Sequence, residues 1–127
     1  MRTKKHIYST VPTAEKVQRL VDWLLDKKAL DILALDLSKD AAPSEAVIIA
    51  SATSTRHGQG LAAHLLQSAR QENFESLRME GHAVGQWILL DLNDVVVHIF
   101  QSENRELFRL EDLWPTGTVL ADTRKEA

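Results

Sequence analysis

The segment Ser54-Thr55-Arg56-His57-Gly58-Gln59-Gly60 concentrates the residue types best able to do chemistry: hydroxyls, a guanidinium, an imidazole and two glycines. A strand, a small-residue loop and a helix N-terminus in that order can bind phosphate through free backbone amides. Here the glycines fall inside the expected helix, and neither Gly-x-Gly-x-x-Gly nor a glycine-rich loop ending in Lys-Ser/Thr is present. Capping by Ser54 or Thr55 accounts for the hydroxyls without a ligand. Asp91 and Asp94 form a second candidate, because paired carboxylates hold divalent cations in nucleotidyl-transfer sites. Turns recruit aspartate for backbone reasons too, and no third acid stands at a useful spacing. His57 and His64 lie two helical turns apart, with neither a His-x-x-x-His pair nor a cysteine to complete a zinc site. His98 sits mid-strand and reads as structural. A Gly-x-Ser-x-Gly elbow and a His-Glu-x-x-His helix are both missing. Chemistry by residue type therefore predicts a binding domain with no catalytic residue, metal or cofactor.

The elements that must position these residues follow from periodicity. Val17, Leu20, Val21, Leu24 and Leu25 share one helical face, so a helix is expected from a Thr13 N-cap to about Lys28. Leu30 to Leu37 reads as a strand and Lys39 to Ser44 as a loop. Ala46 to Ala50 lacks any polar member, as in a strand covered on both faces. A second helix follows, with Leu61, Ala62, Leu65, Leu66 and Ala69 on one face and an end near Asn73. Glu75 to Gly81 is a weaker strand, and Arg105 to Trp114 a short helix or a pair of helical turns stopped by Pro115. Residues 1–12 and 115–127 read as flexible tails around one domain, 13–114.

Composition fits this reading. A chain of 127 residues, 44% hydrophobic and 26% charged, can fold alone around its own core. A net charge of -3 gives no general attraction for nucleic-acid backbones, so DNA is not an expected partner. Arg2, Lys4 and Lys5, and separately Lys27 and Lys28, are short basic clusters that read as solvated ends. Absence of cysteine fits a reducing compartment. No apolar run nears the ~18 residues that span a bilayer, and residues 1–12 lack the apolar stretch of a signal peptide. A cytoplasmic protein without a membrane partner is expected.

The clearest local feature is Trp87 to Leu92, then Asn93-Asp94, then Val95 to Phe100: a β-hairpin with a two-residue turn, expected to be type I′. Its register places Ile88, Leu90, Leu92, Val95, Val97 and Ile99 on one aliphatic face destined for the core. Trp87, Leu89, Asp91, Val96, His98 and Phe100 occupy the other face. That second face is either a core layer under another helix or a partly exposed docking surface, since tryptophan anchors are enriched at interfaces. A register slip of one residue would exchange the two faces.

Several separated motifs resemble the ribosomal silencing factor (Iojap-like) family. They are Lys28-Ala29-Leu30-Asp31-Ile32 with Leu35-Asp36, Ser54-Thr55-Arg56-His57, Glu80-Gly81, Trp87 through Phe100, Asn104-Arg105, and Leu107-Phe108-x-Leu110-Glu111-x-Leu113-Trp114. The resemblance implies a single α/β domain with a mixed sheet of about five strands flanked by helices, nucleotidyltransferase-like in shape but without the catalytic acids. It implies binding to ribosomal protein fourteen of the large ribosomal subunit, where the factor blocks joining of the small subunit and represses translation. Carried onto this sequence, it points to Trp87 with Leu89, Asp91, Asp94, His98 and Phe100, and to Arg56, His57 and Arg105, as partner-binding positions.

Some positions depart from the family pattern. Ser44-Glu45-Ala46 replaces the usual Thr-Asp-aromatic, Ala52 a glycine, Gly58 a valine, and Asn93-Asp94 the usual Gly-Asp turn. Two rivals stand beside the silencing reading: a metal-dependent nucleotidyltransferase-like enzyme using Asp91 and Asp94, and a self-associating scaffold that pairs its apolar sheet face as a homodimer.

Overall fold

A computed structural model of the chain describes residues 7–40 and 42–124. The elements run α1 (Thr13–Asp26), β1 (Leu30–Asp36), β2 (Ala46–Ala52), α2 (Thr55–Gln71), β3 (Arg78–Glu80), β4 (Trp87–Asp91), β5 (Val95–Gln101), α3 (Ser102–Phe108), a 3-10 turn (Leu110–Leu113) and β6 (Thr118–Asp122). The strands form one mixed sheet in the order β3-β4-β5-β2-β1-β6. Only β2 and β5 run parallel, because α2 carries the chain across between them.

The amphipathic helices dictate which face is the core. Leu20 and Leu24 of α1 and Leu61 and Leu65 of α2 are at most 1% exposed, and they pack on Ile32, Ala34, Ile48, Ala50, Ile88, Leu90, Val97 and Ile99 of the sheet. The aliphatic face expected of the hairpin is therefore its core face. β2 is buried at every position, as its run of apolar residues from Ala46 to Ala50 requires for a central strand, with Ser51 the one polar member. Both long helices end in Schellman motifs built on non-glycine residues, with Lys28 (φ 63°) and Asn73 (φ 60°) in the left-handed region. Ala29 N–H bonds Leu24 O at 3.0 Å, and Phe74 N–H bonds Ala69 O at 2.7 Å.

The opposite sheet face is only half covered. Leu33, Leu35, Leu37, Val47, Ile49 and Phe100 form a second apolar cluster there, closed by Leu110 and Trp114 from the segment after β5. Toward β4 the cover is partial: Trp87 is 36% exposed, and Leu89 and Val96 are half-buried.

Four expectations change. Thr13 is the first helical residue and not the cap; Pro12 precedes it, and no side chain caps α1. The Thr13 hydroxyl instead lies within hydrogen-bond distance of Glu45 and Asp94, at 3.0 and 3.1 Å. The hairpin turn has one positive φ, Asn93 at 77°, where type I′ needs two. Asp94 N–H closes a γ-turn on Leu92 O at 3.1 Å. The register is nonetheless the expected one, with Leu90 opposite Val97 and Ile88 opposite Ile99. The sheet has six strands, because Thr118–Asp122, within the expected C-terminal tail, pairs antiparallel with β1. Finally, residues 7–11 lie on the end of α2: Asn73 donates to Ile7 O at 2.6 Å and accepts from Ser9 N–H at 2.9 Å. Arg2, Lys4 and Lys5 lie outside the described residues.

Candidate docking face

Trp87 opens β4, directly across from Phe100 of β5. The loop before it can approach so closely only because residue 81 is glycine: at φ 78°, an added Cβ would stand 2.1 Å from the Trp87 carbonyl oxygen. That contact accounts for glycine at position 81 beside the tryptophan. The indole is 36% exposed, while Phe100 beneath it is wholly buried. Their ring centroids lie 4.9 Å apart. Phe108, from the last turn of α3, packs 5.3 Å from the indole and is itself 49% exposed.

The indole nitrogen also has a partner. Trp87 Nε1–H donates to His98 Nδ1 at 3.0 Å. Burial lowers the His98 pKa from its ordinary 6.5 to about 4. The imidazole is therefore neutral at physiological pH, and its remaining proton sits on Nε2. Leu89, across from His98, and Val96, across from Asp91, are half-buried. Together Trp87, Phe108, Leu89 and Val96 make an apolar, partly exposed strip on a face that elsewhere is covered.

The acids near the hairpin turn answer to different cations. Lys16, buried in α1, binds the Asp94 carboxylate and donates to Leu92 O at 3.1 Å. The Asp94 carbonyl accepts from Glu45 and Ala46 N–H at 3.0 and 3.1 Å. Asp91 accepts from Asn93 N–H at 2.9 Å and lies 3.5 Å from Arg78 of β3. Asp94 thus ties the turn to α1, and Asp91 the turn to the sheet edge. No group of three or more His, Cys, Asp or Glu side chains suited to a metal ion gathers among the described residues.

The Ser54 to Gly60 segment is a capped helix start. Ser54 Oγ accepts from His57 N–H at 3.0 Å. His57 Nδ1 accepts from Thr53 N–H at 3.0 Å, so its Nε2–H donates to Lys27 O at 2.8 Å, linking α2 to the end of α1. Arg56 is exposed. Gly58 is buried where an added Cβ would lie 3.3 Å from the Gln101 amide nitrogen. That amide bonds Ser54 O and Gly85 O, both at 2.9 Å, and so fills the space a larger residue at position 58 would need.

Arg105 is the buried residue of α3, 5% exposed. It donates to Asp31 O at 2.6 Å, Ser51 Oγ at 2.8 Å and Glu111 at 3.2 Å. Asp31 stands at a bulge in β1 with φ 48°, which turns its carbonyl toward the guanidinium. Arg105 therefore fastens the segment that carries Phe108. Of the nine residues singled out from sequence, Trp87, Leu89, His98 and Phe100 come together on the hairpin face and Asp91 borders them. Asp94, Arg56, His57 and Arg105 make their own contacts elsewhere. Phe108 was legible only as part of a motif; an exposed aromatic just after a buried strand was the available signal.

This is an α/β domain with a half-covered mixed sheet and a partly exposed aromatic cluster at the edge of the cover. A family model described as ribosomal silencing factor during starvation matches residues 10–127. A ribosomal silencing factor of Halalkalibacterium halodurans is 34% identical over 100 residues, which are 79% of this chain and 86% of the relative. One from Bacillus subtilis is 36% identical over 89 residues, 70% of this chain and 75% of the relative. A crystal structure of a Chromobacterium violaceum protein matches with a TM-score of 0.76 at 30% identity, covering 81% of this chain and 87% of that one. The chain belongs to the ribosomal silencing factor family, whose members are ribosome-associated factors that silence translation.

Proposed function

We propose that the chain silences translation in the cytoplasm by docking its uncovered hairpin face on ribosomal protein fourteen of the large subunit, where it sterically blocks the small subunit. It works by occupancy, with no cofactor and no turnover. The observation that carries this reading is the half-exposed indole of Trp87, backed by buried Phe100 and flanked by exposed Phe108. A rigid aromatic of this kind has large contact area and little rotamer freedom to lose, the profile of an interface hot spot. Leu89 and Val96 extend the apolar strip, and the Asp91 carboxylate on its border suits a basic ribosomal partner.

Trp87→Ala is expected to weaken co-sedimentation with purified large subunits by about 2–4 kcal/mol while the chain stays folded, since the ring is not part of the main core. Undiminished binding by the folded variant would remove Trp87 from the interface and this reading with it.

A further inference from the structure

Docking accounts for an indole on the surface of the hairpin, but not for the imidazole buried beside it. His98 is 7% exposed in a strand whose other buried members are mostly aliphatic. What an aliphatic residue lacks is an acceptor. The His98 Nδ1 lone pair stands 3.0 Å from Trp87 Nε1. One side of the indole packs on Phe100 and Phe108, with centroids at 4.9 and 5.3 Å and the two phenyl rings 5.8 Å from each other. Those contacts support the indole from one side, and the hydrogen bond selects which edge points inward. A side chain held in one orientation before association loses less entropy when it docks. The neutral state of the ring, with its pKa near 4, keeps that lone pair free throughout the physiological range.

We propose that His98 is a positioning residue for docking: its buried Nδ1 fixes the Trp87 indole in the orientation the partner receives, and it acts through the tryptophan instead of by contact. This inference rests on the docking reading above.

The test combines indole exchange with binding. The chain has three tryptophans, so a nitrogen-15 spectrum carries three indole N–H signals, and Trp87→Phe identifies one of them by its loss. In the unsubstituted chain the Trp87 indole proton is expected to exchange with water about tenfold or more slower than a free indole. His98→Leu is expected to abolish that protection and to weaken co-sedimentation with large subunits about tenfold. His98→Asn, which places an amide oxygen where Nδ1 stood, is expected to restore both. A purely structural role would change stability without this paired recovery.

Rapid exchange of the Trp87 indole proton in the unsubstituted chain would overturn the inference, and that measurement does not depend on whether any variant folds. Full binding by His98→Leu, alongside lost binding by Trp87→Ala, would also overturn it while leaving the docking reading in place. Full binding by Trp87→Ala would instead strike the docking reading itself.

Discussion

At the scale of single residues, His98 and Lys16 show two ways of burying a polar group. His98 is held neutral: its folded pKa is about 4 against an ordinary 6.5, so between those values the unfolded chain binds a proton that the folded chain refuses. Stability therefore falls as pH drops through this window, by about 3 kcal/mol at pH 4 relative to pH 7 from this group alone. Urea titrations across pH 4–7 should show that slope, and a markedly flatter profile in His98→Asn. Asp36 and Asp122, whose pKa values are lowered by hydrogen bonds with Ser38 and Arg124, add to the slope only at the acid end of that range. Lys16, by contrast, is paired with an acid: it is 6% exposed and bound to Asp94, which ties the hairpin turn to α1. Lys16→Met should cost about 2–3 kcal/mol of unfolding free energy, less than a fully buried pair because the Asp94 side chain is 23% exposed. Adding Asp94→Asn should recover part of that loss, and a single variant as stable as the parent would refute the role. None of this was visible in sequence: Asp94 could be assigned to a turn, but its cation lies 78 positions away.

At the scale of elements, legibility followed how local the physics is. The two long helices, β2 and the hairpin register could be read because their apolar spacing is set by faces that each element buries for itself. The turn type could not, since Asp94 is held by α1 and the chain before β2, and adopts the backbone those contacts demand. β6 was missed because Thr118–Asp122 is short, mostly exposed and flanked by Gly117 and charged residues; its pairing energy comes from β1, not from its own pattern. Its contribution is testable. Ending the chain after Trp114 should expose the edge of β1 and lower the thermal midpoint by several degrees, on the order of 1–2 kcal/mol, with increased aggregation. An unchanged midpoint would mean that β6 is ornamental. Arg105 is a further case: its motif position was evident, but only the bulge at Asp31 and the carboxylate of Glu111 show that it holds α3 in place.

At the scale of the whole molecule, the division of the sheet into a covered and an uncovered part determines what the protein can do. α1 and α2 close one face entirely, while α3 and the 3-10 turn close the other only as far as Phe100. From sequence the second hairpin face stood open between a core layer and a docking surface. The structure divides it: Phe100 and His98 are buried, and Trp87 is partly exposed. On the proposed reading, steric blocking needs nothing more than a rigid body held firmly at the right place.

The most direct measurement is a subunit-joining assay in which the purified chain is added to large subunits, or separately to small subunits, before the two are mixed. Prior addition to large subunits should prevent joining in proportion to occupancy, prior addition to small subunits should act only as fast as the factor transfers, and Trp87→Ala should require about 30-fold more protein or greater for the same effect. Joining that proceeds at the normal extent with large subunits saturated by the folded chain would contradict the account.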